Sequence, residues 1–206
     1  MIYEHYGRTI AEADNPVVFE LGSGDGTDTV RLLAPVLSSG KPYRFVAFEP
    51  EPNNVETLRA SDFANLIDIV PVAIGDRAGM TSFRSSEQSS HSGSVKQPIQ
   101  HLRNWPAIRF ELLTQVPMLR LDDVFASLNI DHVDFIWADV QGAEDLVVAG
   151  AQTTLLHTKF FYTEHYEVEM YEGQIGLEEI HSRLPGTWSV VVDYGFDVLF
   201  ENLEFQ

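Results

Sequence analysis

The segment Val17-Val18-Phe19-Glu20-Leu21-Gly22-Ser23-Gly24-Asp25-Gly26-Thr27-Asp28 constrains this chain more than any other. Its first five residues, four of them apolar, read as a buried strand. Three glycines at alternate positions then break the run, and a helix opens at Thr27. A strand that passes through a glycine turn straight into a helix is the first unit of an open, mainly parallel α/β sheet. Glycine lets a ligand approach the backbone where a Cβ would block it. The helix start adds free N–H groups.

Glu20 stands two residues before the first glycine, with Asp25 and Asp28 around the turn. An acid at the strand end can face a positive charge. The turn therefore suits an adenosine with a cationic amino-acid tail, which is S-adenosylmethionine. The competing reading is the dinucleotide fingerprint G-x-G-x-x-G, which cradles a pyrophosphate. Here Thr27 holds the place of the third fingerprint glycine, and the carboxylates would repel a pyrophosphate. Downstream, Tyr43-Arg44-Phe45-Val46-Ala47-Phe48-Glu49-Pro50 reads as a second strand ending in an acid, 23 residues after Gly26. A carboxylate there can accept hydrogen bonds from both ribose hydroxyls, a device both cofactor classes use.

A chain of 206 residues suffices for one sizeable α/β domain. No apolar run approaches the roughly 20 residues of a membrane span. No basic stretch followed by an apolar core opens the chain, so no signal peptide is expected. The absence of cysteine excludes disulfides and thiolate metal sites and fits a reducing, cytoplasmic location. The net charge of −18 would repel a phosphate backbone, so nucleic acid is not the expected substrate. Arg77, Arg84, Lys96, Arg103, Arg109 and Arg120 cluster in the middle of the chain, but the overall charge reads as a solubility feature.

Strand and helix signals alternate along the rest. Helices are expected over 27–38, 51–62, 121–128, 142–156 and 177–184. Strands are expected over 66–74, 133–140 and 160–165, with a closing hairpin at 188–193 and 197–200. Between short extended pieces at 80–83 and 108–114 lies a serine-rich insert of about 84–105, read as a substrate loop or lid, with a disordered insert as the alternative. The last six residues, Glu201 to Gln206, differ by one residue from a common protease-site remnant. They read either as such a remnant or as the last strand, and carry no functional weight. Glu20, Asp139, Glu164 and His165 all fall at strand carboxyl ends, where open α/β sheets bind ligands.

In Phe19-Glu20-Leu21-Gly22-Ser23-Gly24-Asp25-Gly26, Ala47-Phe48-Glu49-Pro50, Val72-Ala73-Ile74-Gly75-Asp76, Leu121-Asp122-Asp123 and Asp134-Phe135-Ile136-Trp137-Ala138-Asp139-Val140-Gln141-Gly142-Ala143-Glu144, the chain resembles the FkbM family of S-adenosylmethionine-dependent methyltransferases. The resemblance implies a class I, Rossmann-like fold: a doubly wound, mainly parallel seven-stranded sheet with an antiparallel C-terminal hairpin. It implies O-methylation of a hydroxyl on a small molecule, sugar or glycan. By position Glu20, Gly22, Gly24 and Gly26 would hold the methionine part, Glu49 the ribose, and Asp76 would lie near the adenine. Asp139 would stand beside the transfer site. One departure matters: the family often has Asp-Val-Glu-Gly where this chain has Asp139-Val140-Gln141-Gly142. Gln141 cannot act as an acid or base.

Methyl transfer is an in-line displacement, so the enzyme mainly positions the acceptor. A hydroxyl is a poor nucleophile, and a base should help. His165 is the first candidate, since imidazole titrates near neutral pH. Glu164 and Asp139 would orient it or bind acceptor hydroxyls, and His91 in the insert is a second candidate. No metal motif is present, although Asp139, Glu164 and His165 are conceivable ligands for a divalent cation. Two other readings stay open: a non-catalytic module that binds the cofactor, and a nicotinamide-dependent oxidoreductase.

Overall fold

A computed structural model describes residues 2–86 and 88–205. The chain begins with α1 (Ile2–Glu12), β1 (Val17–Leu21), α2 (Thr27–Ser38), β2 (Arg44–Phe48), α3 (Pro52–Ala60), β3 (Asp68–Val70) and β4 (Ala73–Ile74). It continues through β5 (Gly79–Ser86), β6 (Ser89–Ser94), α4 (His101–Asn104), β7 (Leu112–Leu119), α5 (Leu121–Ser127) and β8 (Val133–Ala138). Then come α6 (Glu144–Gly150), α7 (Gln152–Leu156), β9 (Thr158–Glu164), α8 (Leu177–Arg183), β10 (Trp188–Asp193) and β11 (Asp197–Asn202).

Seven strands form one sheet in the order β10-β11-β9-β8-β1-β2-β3. The five from β9 to β3 are parallel, and the β10–β11 hairpin runs antiparallel against β9. This is the architecture that the resemblance implies. Side chains of β1 alternate between two cores, as a strand covered on both faces requires. Val17, Phe19 and Leu21 join Ile136, Val147 and Phe161 on one face, while Val18 joins Phe135, Leu32 and Tyr6 on the other. Each such aromatic or branched side chain contributes about 1.5–3 kcal/mol by leaving water. No helix among the described residues is long and apolar enough to cross a membrane.

The chain differs from its sequence reading at four places. Nothing was assigned to residues 2–12, yet α1 packs Tyr6 and Ile10 fully buried, and the Tyr6 hydroxyl donates to the Leu32 carbonyl at 2.7 Å. The third strand splits around Pro71 into β3, on the main sheet, and β4, which pairs with β7 in a second sheet of order β4-β7-β5-β6. The insert is not a plain loop. Its first part is the β5–β6 hairpin, in which β5 pairs with β7 on one side and with β6, the edge strand, on the other. Ser85, Ser86, Ser92 and Ser94 are buried; Ser94 Oγ donates to the Gln141 carbonyl at 2.7 Å, and Ser92 Oγ lies 2.8 Å from Ser89 Oγ. Finally, the helix expected over 142–156 breaks at Ala151 into α6 and α7. There Asp122 Oδ1 accepts from the backbone N–H of Thr153 and Thr154 and from Thr154 Oγ1, which caps α7 and gives the Leu121-Asp122-Asp123 motif its structural purpose.

The chain end is tied into the sheet up to its last described residues. Asn202 Nδ2 donates to the carbonyls of Leu155, Leu156 and Thr158, and the Leu203 N–H donates to Thr187. Gln206 lies outside the described residues.

Candidate active site

The carboxyl ends of β1 and β2 open onto a cleft enclosing about 600 Å³ of atom-free space, part of it solvent. The glycine turn forms its floor with positive φ at Gly22 (83°) and Gly24 (55°). A Cβ on residue 22 would meet the Asp139 carbonyl oxygen at 1.9 Å, so only glycine lets the ends of β1 and β8 abut. Apolar walls come from Phe48, Val72, Ile74, Phe83 and Val95, and the β5–β6 hairpin covers the top with Ser90, His91 and Gly93.

Glu49 is the carboxyl that the end of β2 brings to this cleft. It is 3% exposed, accepting from the Gly24 N–H at 2.7 Å through Oε2 and from the Glu51 N–H at 2.8 Å through Oε1. Burial pushes its carboxyl up to about 7. Two backbone donors leave further lone pairs free for ligand hydroxyls. The other proposed cofactor residues sit differently. Glu20 is 1% exposed and lies behind the turn, where it accepts from Thr29 Oγ1 at 2.6 Å; burial pushes it up to about 8. It does not line the cleft. Gly26 sits at the N-terminus of α2 under Phe63 and Leu58. Asp76 faces solvent and pairs with Arg77 at 2.9 Å, because the chain has already left the main sheet at β4.

A second cleft, with about 670 Å³ of atom-free space, adjoins the first. Its walls are Glu164 from the end of β9, Tyr166, Met170 and Tyr171 from the segment that follows, and His101 and Trp105 from α4 and its end. The two clefts share His91, Asp139 and Gln141. His91 reaches this junction from β6, with Nε2 3.2 Å from Asp25 Oδ2.

At the junction Gln141 links two acids. Its Nε2 donates to Asp139 Oδ1 at 2.6 Å and to Glu164 Oε2 at 3.0 Å, while the Tyr171 hydroxyl lies 2.9 Å from its Oε1. Burial raises the carboxyls of both Asp139 and Glu164; the Asp139 charge raises Glu164 further, while hydrogen bonding from Gln141 and Glu164 pulls Asp139 back down. His165 stands apart. Successive strand residues face opposite ways, so Glu164 enters the cleft and His165 turns under the β10–β11 hairpin. There its Nε2 is 3.1 Å from Asp193 Oδ1. It lines neither cleft, which moves the first base candidate out of the site. Among the described residues no three His, Asp or Glu side chains gather as metal ligands.

Sequence reasoning brought Glu49, Asp139, Glu164 and His91 to the site. It missed Tyr171, Tyr166, His101 and Trp105. Tyr166 and Tyr171 come from an irregular segment, and His101 and Trp105 from a single helical turn and its end, too short to show periodicity.

The seven-strand order, the glycine turn and the acid ending β2 define a class I S-adenosylmethionine-dependent methyltransferase. The residues fit that cofactor: a bare backbone turn, an apolar slot and a buried carboxylate suit an adenosine. No lysine or arginine lines the cleft among the described residues to receive a pyrophosphate. Comparison with known proteins agrees. The model of the methyltransferase FkbM domain matches residues 20–198. The 2-O-methyltransferase NoeI of Sinorhizobium fredii is 35% identical over 184 residues, which cover 86% of this chain and 74% of that protein. Among solved structures, methyltransferase FkbM from Methylobacillus flagellatus KT superimposes with a TM-score of 0.55 at 15% identity, covering 91% of this chain but only 44% of that one. The N-terminal domain of human METTL16, solved with SAH, gives 0.50 at 10% identity over 99% of this chain and 69% of that one. At these identities the structures speak for the fold alone. The chain belongs to the FkbM family of methyltransferases, and its cofactor is S-adenosylmethionine.

Proposed function

We propose that this methyltransferase O-methylates a hydroxyl of a sugar, glycan or other small polyhydroxylated molecule bound in the second cleft. The observation that carries this reading is the junction of the two clefts at Asp139, His91 and Gln141. A cofactor in the first cleft and an acceptor in the second would meet beside a pair of carboxyls. Trp105, Tyr166 and Tyr171 offer flat apolar surface for a ring, and Asp139 and Glu164 offer acceptors for its hydroxyls. The 35% identical relative named a 2-O-methyltransferase supports the same chemistry.

Bound S-adenosylmethionine supplies the methyl carbon on a sulfonium, whose C–S bond electrons stay on sulfur. The protein's share is to bind, orient and deprotonate. Glu49 would accept from the ribose hydroxyls, with Gly22 and Gly24 passing under the methionine tail. Glu20 would brace the turn from behind through Thr29. The Asp139–Glu164 pair would orient the acceptor and take its proton, with His91 over the junction as the alternative base. Acidic walls and a net charge of −18 disfavour a nucleic-acid acceptor.

The test is transfer of a labelled methyl group from S-adenosylmethionine to a panel of free sugars, oligosaccharides, RNA and peptides. An alkali-stable methyl ether on a sugar is the expected product. Label in RNA or peptide, with none in any sugar, would overturn the reading.

A further inference from the structure

Gln141 stands where the family often carries a glutamate, and its surroundings are almost wholly acidic. Asp139 and Glu164 touch it; Asp197 on β11, Asp28 on α2 and Glu144 on α6 act on the pair from further off. Tyr166 and Tyr171 close the cleft, and His91 and His101 stand on its rim. No lysine or arginine lines this cleft among the described residues. Two carboxyls bridged by one amide nitrogen cannot both ionise cheaply. The Gln141 amide nitrogen donates to both acids. A hydrogen bond donated to the charged form favours that form.

The amide is held in this sense by its other end. The Tyr171 hydroxyl donates toward Gln141 Oε1 at 2.9 Å and toward the Ser92 carbonyl at 3.2 Å. Turning the amide over would set Oε1 against the two acids and Nε2 against the hydroxyl. The backbone is built for the contact. Gln141 itself has a positive φ of 51°, and a Cβ on the next residue, Gly142, would lie 2.7 Å from Tyr171 Cβ. Gln141 and Gly142 are the central residues of a turn closed by the Ala143 N–H on the Val140 carbonyl at 3.4 Å, and this turn directs the Gln141 side chain at the two acids.

We propose that Gln141, oriented by Tyr171, is the positioning residue that keeps the Asp139–Glu164 pair singly protonated and therefore able to accept the proton of the hydroxyl being methylated. This rests on the proposed role of the pair as base. The acceptor O–H bond breaks, and its electrons form the new C–O bond. The pair, entering with one proton and one negative charge, leaves with two protons and no charge, then returns one proton to solvent. A glutamate at 141 would add a third acid and no donor, so the pair would lose the contact that Gln141 gives it.

The experiment is infrared titration of the ligand-free protein between pH 5 and 9, following the carboxyl C=O band. Glu20, Glu49 and Glu144 are also buried carboxyls, so the band of the pair is assigned by its loss in Asp139→Asn and Glu164→Gln. In Gln141→Met the midpoint should rise by about one pH unit, a tenfold change in the ionisation constant, which is the scale of a lost hydrogen bond to a charge. Tyr171→Phe keeps the ring against Gly142 and should move the midpoint in the same direction by less. Cooperative thermal unfolding checks that each variant folds. A purely structural role would lower the melting temperature and leave the midpoint unmoved, and an unmoved midpoint in either folded variant overturns the proposal. Because no acceptor is needed, failure to find a sugar substrate would count against the proposed function alone.

Discussion

The carbonyl oxygen of Asp139 occupies the space a side chain on Gly22 would need, 1.9 Å from the ideal Cβ position. The glycine turn and the end of β8 are thus one wall. Gly22→Ala must both adopt a φ of 83° and push β8 away. We expect a loss of at least about 2 kcal/mol in urea unfolding, together with weaker binding of S-adenosylhomocysteine. Unchanged stability would mean that the two strand ends do not abut.

Glu49 should carry much of the cofactor affinity. Removing its carboxyl in Glu49→Ala leaves the Gly24 and Glu51 N–H groups without their acceptor and, under the proposed assignment, would leave the ribose without its partner. Calorimetric titration with S-adenosylhomocysteine should show a fall of about 30-fold or more, since a charge-assisted hydrogen bond contributes about 1.5–3 kcal/mol. Affinity within a few-fold of wild type would remove Glu49 from the ribose site.

The same carboxyl should make binding pH-dependent. Burial lifts it to about 7, and the ionised form is the one that accepts from both hydroxyls. Binding is therefore linked to proton loss. Affinity should rise by up to about tenfold per pH unit below 7 and level off above it. Glu49→Gln should flatten that slope.

Glu20 should weaken the fold as pH rises. Its carboxyl is raised to about 8 in the folded protein, against an ordinary value of 4.5. The folded state therefore holds the proton more tightly than the unfolded state. The stability this gives is complete below pH about 4.5 and is lost as pH climbs through about 8. The loss is at most about 5 kcal/mol. Glu20→Gln, which keeps a partner for Thr29 without ionising, should show a smaller decline across pH 5–8 in urea unfolding. A decline equal to the wild type would assign the effect to Glu49 and Glu144 instead.

The fold was legible because its signals are local. Alternate glycines after an apolar run, an acid closing the next run and a terminal hairpin each follow from backbone chemistry within about ten residues. The site was legible only as far as strand ends reach. Asp139 and Glu164 close β8 and β9 and were found. His165, their neighbour in sequence, was misplaced because one step along a strand reverses the side chain. Glu20 and Asp76 show a similar limit: a motif gives position in the chain, but burial behind Thr29 or departure to a second sheet is decided by packing. The serine-rich insert hid β6 because strand patterning is read from apolar alternation, whereas its order comes from pairing with β5 and contacts to Asn54, Asp25 and Gln141. Tyr171 lies in a segment without regular structure, 30 residues from its partner Gln141, and only the folded chain brings them together.

The most direct measurement is the position of the sulfur atom of S-adenosylhomocysteine bound to the wild-type protein, located by anomalous scattering in a crystal of the complex. We expect the ribose on Glu49 and the sulfur at the junction of the two clefts, in contact with the Asp139 wall and open toward Glu164 and Tyr171. A sulfur directed away from Asp139, or a ribose that does not reach Glu49, would contradict the assignment of the two clefts and the transfer site between them.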